Sequence, residues 1–452
     1  MSAVRRLPVV KDLTLVTAGA MTANVAGYLL QLLASRWLGV SGYSAFASLL
    51  AVQMMCAVPA LALQNVVARE IVRGAPMAAA RALALRCAGM VAALAIVLAP
   101  VISAVLTVSL AASAGALCTA PLLVLLAGEQ GILQGRSRFR ELATVLGGAT
   151  IIRVTPTLIL LACGFGPAPA LWAGAGGAAL AALLARRLTR AAAAARRVPD
   201  TAVSARVLTT GDAETAATAQ NTADWSALSG EPASAAAERA GGWRLGVAAV
   251  FRAVQVQAAL TALSAADLLV SRIVLDENDA GRYALGAIAA KIAFWLPQAV
   301  GVVLYPKMAQ PQHSARAMRS ALAVLVGIGA VTVLGAAVAA PLAPLFAGRD
   351  YAPIEGLLWL FALEGALLAI LQVALLSAIA ADRTAPAAIT WIGLGIGVAV
   401  MVTCAHSVLS LIGIATGTAA VTTLVITGVA VRAARGGAKD RSPVPDLGAD
   451  GT

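Results

Sequence analysis

The chain of 452 residues is 60% hydrophobic and only 12% charged, with a mean hydropathy of +0.87. A water-soluble protein of this length carries about a quarter of its residues as charges, so a soluble enzyme or scaffold is excluded. The net charge of +12 is compatible with nucleic acid or with the basic loops of a membrane protein, and the placement of the charges decides for the second.

A membrane-spanning helix needs roughly 20 apolar residues. In chain order this predicts spans near 13–34, 43–66, 83–108, 113–134, 142–162 and 167–185. After a polar interruption come 246–270, 283–305, 320–341, 356–379, 386–405 and 409–431. Arg5, Arg6 and Lys11 precede the first span, and no small-residue cleavage site follows it. The reading is an all-α polytopic membrane protein of about twelve helices. Of the 33 Lys and Arg, only Arg36, Arg272, Arg282 and Arg349 fall on the side opposite the N-terminus. Arg153, Arg252 and Lys291 fall within spans, and all the others share the side of the N-terminus. Basic residues are retained in the cytoplasm, which predicts an inner-membrane protein with both termini inside.

The loops on the opposite side are short, the longest lying around 271–282 and 342–355. Residues 187–244 are rich in Ala, Thr, Ser and Glu, contain Pro199 and Pro232, and lack apolar periodicity. They read as a disordered cytoplasmic linker between six-helix lobes at 1–186 and 245–431, and 432–452 reads as a disordered tail.

A degenerate repeat supports the two lobes. Ser35-Arg36, Gly42-Tyr43, Pro59 and Arg69 are matched in order by Ser271-Arg272, Gly281 and Tyr283, Pro297 and Lys307. Six helices per lobe give both copies the same membrane orientation, with a pseudo-axis along the membrane normal and a central cavity as the expected substrate site.

Ionisable groups inside a span cost at least a few kcal/mol (about 2.5–3.5 on insertion scales), so they face protein or water. Arg153 lies near mid-depth of its span with Thr150 and Thr157 on one face, and Lys291 shares a face with Trp295, Gln298 and Tyr305. Arg252, with Gln255 one turn on, either lines a cavity or snorkels to the interface. Thr17, Asn24 and Gln31 recur every seven residues beside Tyr28, and Gln53 and Gln64 share a face of the second span. Arg153, Lys291, Arg252, Asn24, Gln31, Gln53 and Gln298 are therefore candidates for binding a polar, anionic substrate; interhelical hydrogen bonding is the other reading of the uncharged ones. Glu129, Asp267 and Glu364 are candidates for coupling to H+ or Na+, with a structural ion pair left open for each.

Catalytic constellations are missing. The five cysteines form no CxxC pair, His313 and His406 cannot assemble a metal site with them, and no GxxxxGK[ST] loop is present to draw on ATP. The run Gly393-x-Gly395-x-Gly397 sits in an apolar span, where close helix packing explains it.

Two segments carry a family resemblance. Leu32 to Gln53 contains Ser35-Arg36-Trp37-Leu38-Gly39 followed by Tyr43-Ser44-Ala45-Phe46, and Ala280 to Ala309 ends in Pro306-Lys307. The first resembles the "AR-x-LG" turn and "YG/YS-x-F" second helix of Wzx-type oligosaccharide flippases, and the second resembles their seventh-to-eighth helix segment. These flippases belong to the multidrug/oligosaccharidyl-lipid/polysaccharide exporter superfamily. The resemblance implies flipping of a polyprenyl-diphosphate-linked oligosaccharide across the membrane by rocking of two lobes, among membrane lipids and possible partner proteins of polysaccharide biosynthesis. It implies no enzyme activity and no resident cofactor. Alternatives are a lipid II flippase or an ion-coupled drug exporter of the same superfamily. A membrane glycan polymerase or glycosyltransferase is disfavoured by the short outer loops.

Overall fold

Ala, Leu and Val carry this chain through one helix after another, because within lipid only a closed ladder of backbone hydrogen bonds is stable. The computed structural model describes residues 6–194, 243–295, 314–380 and 385–439, and all regular structure among them is helical. The first lobe comprises α1 (Arg6–Cys56), α2 (Val58–Val72), α3 (Met77–Val105), α4 (Leu110–Gly135), α5 (Phe139–Ala162) and α6 (Pro167–Ala194). The second comprises α7 (Trp243–Val274), α8 (Glu277–Trp295), α9 (Ser314–Ala339), a short α10 (Ala343–Ala347), α11 (Leu358–Ala380), α12 (Ala385–Cys404) and α13 (Val408–Lys439).

The first two passes need no loop. Gly39, at φ 66° and ψ −178°, breaks α1 in a conformation that a side chain would strain, and the chain turns back there. The second pass continues into α2, where Pro59 sits in the first turn and its missing N–H leaves no bond unmade. With α1 counted as a turned pair, α2 completing its second arm, the described helices make twelve passes. Among the described residues nine stretches are long and apolar enough to cross a membrane, the first of which, Leu15–Val72, holds two passes. Ala388–Cys404 is a shorter apolar helix. The outer wall is apolar, as a lipid-facing surface must be: Ile96, Val338 and Leu424 are exposed on it.

Each lobe has its own packed centre. Leu63, Val67, Leu83, Val124 and Ile132 join α2, α3 and α4, whereas Leu260, Phe294, Leu371 and Ile426 join α7, α8, α11 and α13. A third cluster spans both lobes and includes Tyr43, Phe46, Leu49, Tyr283, Tyr351 and Phe361. The repeat is visible in detail. Ser35 and Ser271 are both buried and each donates its hydroxyl to the carbonyl three residues back, Leu32 at 2.7 Å and Leu268 at 2.8 Å. Tyr43 and Tyr283 are both fully buried.

Three boundaries differ from the sequence reading. The stretch around 271–282 is helical nearly throughout, because Asp276 caps α8 by accepting from the Asp279 amide at 3.0 Å and Arg272 is drawn into protein. Helix α6 runs on to Ala194, past the expected start of the linker, and α13 runs to Lys439, past the expected start of the tail. Ala, Arg and Lys are strong helix formers, so a helix anchored in the membrane extends through them into water. The rest of the linker and tail lies outside the described residues, as does the span predicted at 283–305 beyond Trp295.

Candidate functional site

In the second lobe, two glycines bring α8 and α11 into backbone contact. A Cβ on Gly365 would lie 2.0 Å from the Ala290 carbonyl oxygen, and one on Gly286 would lie 2.4 Å from the Phe361 ring. The ring of Tyr283 meets Phe361 edge-on, with centroids 5.0 Å apart. At this close approach Tyr283 donates its hydroxyl to Asp267 Oδ2 at 2.8 Å. Asp267, Tyr283 and Glu364 are near enough for their charges to interact, and Lys291 lies within electrostatic reach of Asp267. Both carboxyl groups are buried. Asp267 Oδ1 and Glu364 Oε2 have no hydrogen-bond partner among the described residues. Two adjacent carboxyls, each with an idle oxygen, can take up a proton or a small cation.

Lys291 faces the other way as well. Its ammonium donates to Gln31 Oε1 at 3.3 Å, and the Tyr28 hydroxyl donates to the Lys291 carbonyl oxygen at 3.2 Å. Both partners lie on α1, so Lys291 joins the carboxyl cluster of the second lobe to the polar stripe of the first. Asn24 occupies that stripe two turns from Gln31 and is half-buried.

Similarity to solved structures fits this arrangement of two lobes around a seam. The chain is similar to an inward-facing multidrug resistance MATE family transporter of the MOP superfamily, with a TM-score of 0.58 and 14% identity over 93% of this chain and 96% of that one. It is similar to Vibrio cholerae MATE transporter VcmN in the bent form, with a TM-score of 0.55 and 15% identity over 94% and 98%. An outward-facing MATE family transporter gives 0.50 and 12% over 96% and 97%. The fold is that of MATE transporters. No protein-family model and no curated protein matches the sequence, so helix order and packing carry the likeness.

Within the MATE fold the other candidates scatter. Arg153 is half-buried on α5 where α6 comes closest, since a Cβ on Gly177 would meet the Arg153 Cα at 2.7 Å. Thr157 spends its hydroxyl on the Arg153 carbonyl at 3.1 Å and Thr150 on that of Leu146 at 3.3 Å. Gln53 is buried, while Gln64 donates to Gln134 across α2 and α4 at 3.1 Å. Glu129 is held by both nitrogens of one fork: Arg81 Nε and Nη2 stand 2.7 and 3.0 Å from its two oxygens. Arg252 lies on α7 with its side chain outside the described residues, and Gln298 lies outside them altogether.

Sequence reasoning missed a latch on the face away from the N-terminus, here called the distal face. Arg272 leaves the end of α7 and enters the first lobe, with a side chain only 4% exposed. Its Nε donates at 3.2 Å to the Leu106 carbonyl oxygen at the end of α3, which also accepts from Thr107 Oγ1 at 2.8 Å, and its Nη1 donates to Ser44 Oγ at 3.1 Å. Nη2 bonds Glu277 at 3.1 Å. Tyr351 adds a second link, donating to the Ser35 carbonyl oxygen at 3.2 Å. The start of α8 packs directly on the α1 turn, where a Cβ on Gly281 would lie 2.0 Å from the Val40 carbonyl oxygen. The signal available in the sequence was that Arg272 and Arg36 stand at equivalent repeat positions, both against the charge rule.

Proposed function

We propose that the protein is an alternating-access transporter that flips a polyprenyl-diphosphate-linked oligosaccharide from the cytoplasmic to the outer leaflet of the inner membrane. Lys291 carries this reading: a membrane-embedded ammonium at the seam between lobes, held by one neutral acceptor on α1 and within reach of a buried carboxyl. An anionic diphosphate has a natural counter-charge there, and Arg153 in the first lobe offers a second. The MATE fold supports the rocking of lobes that such a passage needs, and the lipid tail stays in the bilayer while the sugars cross.

In this reading Asp267 and Glu364 are the coupling groups. A proton or Na+ on them removes the charge that attracts Lys291 and releases the ammonium toward the diphosphate. Departure of the cation pulls Lys291 back and favours release. Alternation then follows from the competition of substrate and carboxylate for one ammonium.

The idle oxygens of Asp267 and Glu364 also favour a second reading, an ion-coupled exporter of organic cations. Proteoliposomes separate the two. A fluorescent polyprenyl-diphosphate oligosaccharide should cross tens of times faster with the protein than without it, and Lys291→Ala and Arg153→Ala should each abolish most of that gain with insertion intact. Uptake of a cationic dye with no acceleration of the lipid-linked sugar would replace the flippase reading with the exporter.

A further inference from the structure

All four basic residues that stand against the charge rule meet on the distal face of the seam. Two are matched by acids: Arg272 by Glu277, and Arg282 by Asp279 at 2.8 Å, with a further bond from Arg282 Nε to the Asp350 carbonyl oxygen at 3.1 Å. Arg36 and Arg349 have no carboxylate within ion-pair distance among the described residues. Both line a cleft of about 520 Å³ whose walls are α1 at Ser35–Gly39 and the second-lobe segment Pro344–Tyr351. Asp350 lines the same cleft, and its carboxylate likewise has no ion-pair partner among the described residues. Arg36 makes one long bond, from Nη1 to the Phe346 carbonyl oxygen at 3.5 Å.

The surroundings of the cleft are lipid-facing. Trp37, Leu345 and Phe346 are exposed beside it, a pattern of aromatic and apolar side chains at a membrane–water boundary. Charge, volume and rim together select a headgroup over a free ion. We propose that the cleft seats an amine-bearing zwitterionic phospholipid, its phosphate on Arg36 and Arg349 and its ammonium on Asp350. The volume is within the range of about 300–1,000 Å³ usual for small-molecule sites. Two guanidinium groups match phosphate oxygens, and the carboxylate accepts a charge-assisted hydrogen bond from a primary ammonium, which a quaternary choline cannot donate and a glycerol headgroup donates only without charge. Since the walls come from both lobes, the occupant braces the closed distal seam beside the Arg272 latch, whatever the transported substrate.

Native mass spectrometry of the full-length chain, released from micelles doped with phosphatidylethanolamine, phosphatidylglycerol or phosphatidylcholine of matched acyl chains, tests this. The wild type should retain phosphatidylethanolamine about tenfold more strongly than the other two, a difference set by one charge-assisted hydrogen bond. Arg36→Gln with Arg349→Gln should remove that preference, and Asp350→Asn should raise phosphatidylglycerol to parity or above. Equal retention of the three lipids by the wild type overturns the proposal without reference to any variant. So does an unchanged preference in the double variant, or in Asp350→Asn.

Discussion

The two lobes treat buried carboxyls in opposite ways. In the first, Glu129 has both oxygens held by the Arg81 fork, so its charge is compensated where it stands. In the second, Asp267 accepts from Tyr283 and shares one buried site with Glu364, and each carboxyl keeps an oxygen without a hydrogen-bond partner among the described residues. Position by position the repeat sharpens the contrast: Gln31 in the first lobe stands where Asp267 stands in the second, 236 residues on, the same offset as Ser35 to Ser271 and Arg36 to Arg272. One copy keeps a neutral amide facing Lys291 and the other a carboxyl. A buried carboxyl without an ion-pair partner is a burden on stability, and in the proposed reading the lobe that retains two such groups serves exchange and the other cohesion.

The contrast is broken most directly at Arg81. Arg81→Ala strands Glu129 and should lower stability by about 3–5 kcal/mol, seen as a fall in Tm in detergent. The double change Arg81→Ala with Glu129→Ala should recover most of it. If the single variant melts like the wild type, the first lobe is not held by its ion pair.

Arg272→Ala comes next. Glu277 is 65% exposed, so the ion pair itself contributes little, and the loss is chiefly that of the Leu106 and Ser44 bonds, about 2–3 kcal/mol together. Spin labels at Leu110 and Asn278, one on each lobe at the distal face, should report a longer and broader distance in this variant. An unchanged distribution removes the latch. Tyr351→Phe deletes a single neutral bond to Ser35 and should shift the same distance distribution only slightly, with a stability change of about 1 kcal/mol.

The smallest stability effect, and the largest functional one, is expected in the second lobe. Asp267→Asn preserves an acceptor for Tyr283 and removes a buried charge, so Tm should stay level or rise, and Glu364→Gln should behave alike. Cation-driven transport should fall at least tenfold in both. A Tm loss as large as that of Arg81→Ala would mean that these carboxyls serve structure too, and the difference between the lobes would vanish.

Much of this was legible in the sequence. Apolar stretches of membrane length and the paired Ser-Arg and Tyr positions determined the helices and the two lobes, because each depends on residues close in the chain or on composition alone. The glycine run was legible for the same reason: Gly393 and Gly397 are one turn apart and meet Thr422 and Thr418, while Gly395, on another face, meets nothing within 4 Å. What only the tertiary structure decided was pairing. Lys291 finds Gln31 across 260 residues of chain, Arg272 finds Leu106 across 166, and Glu129 takes Arg81 rather than a place at the seam. Helical periodicity says which face a polar group occupies, but the neighbour that meets that face is set by how the helices pack, and so is whether a buried carboxyl meets an arginine or keeps an oxygen without a partner.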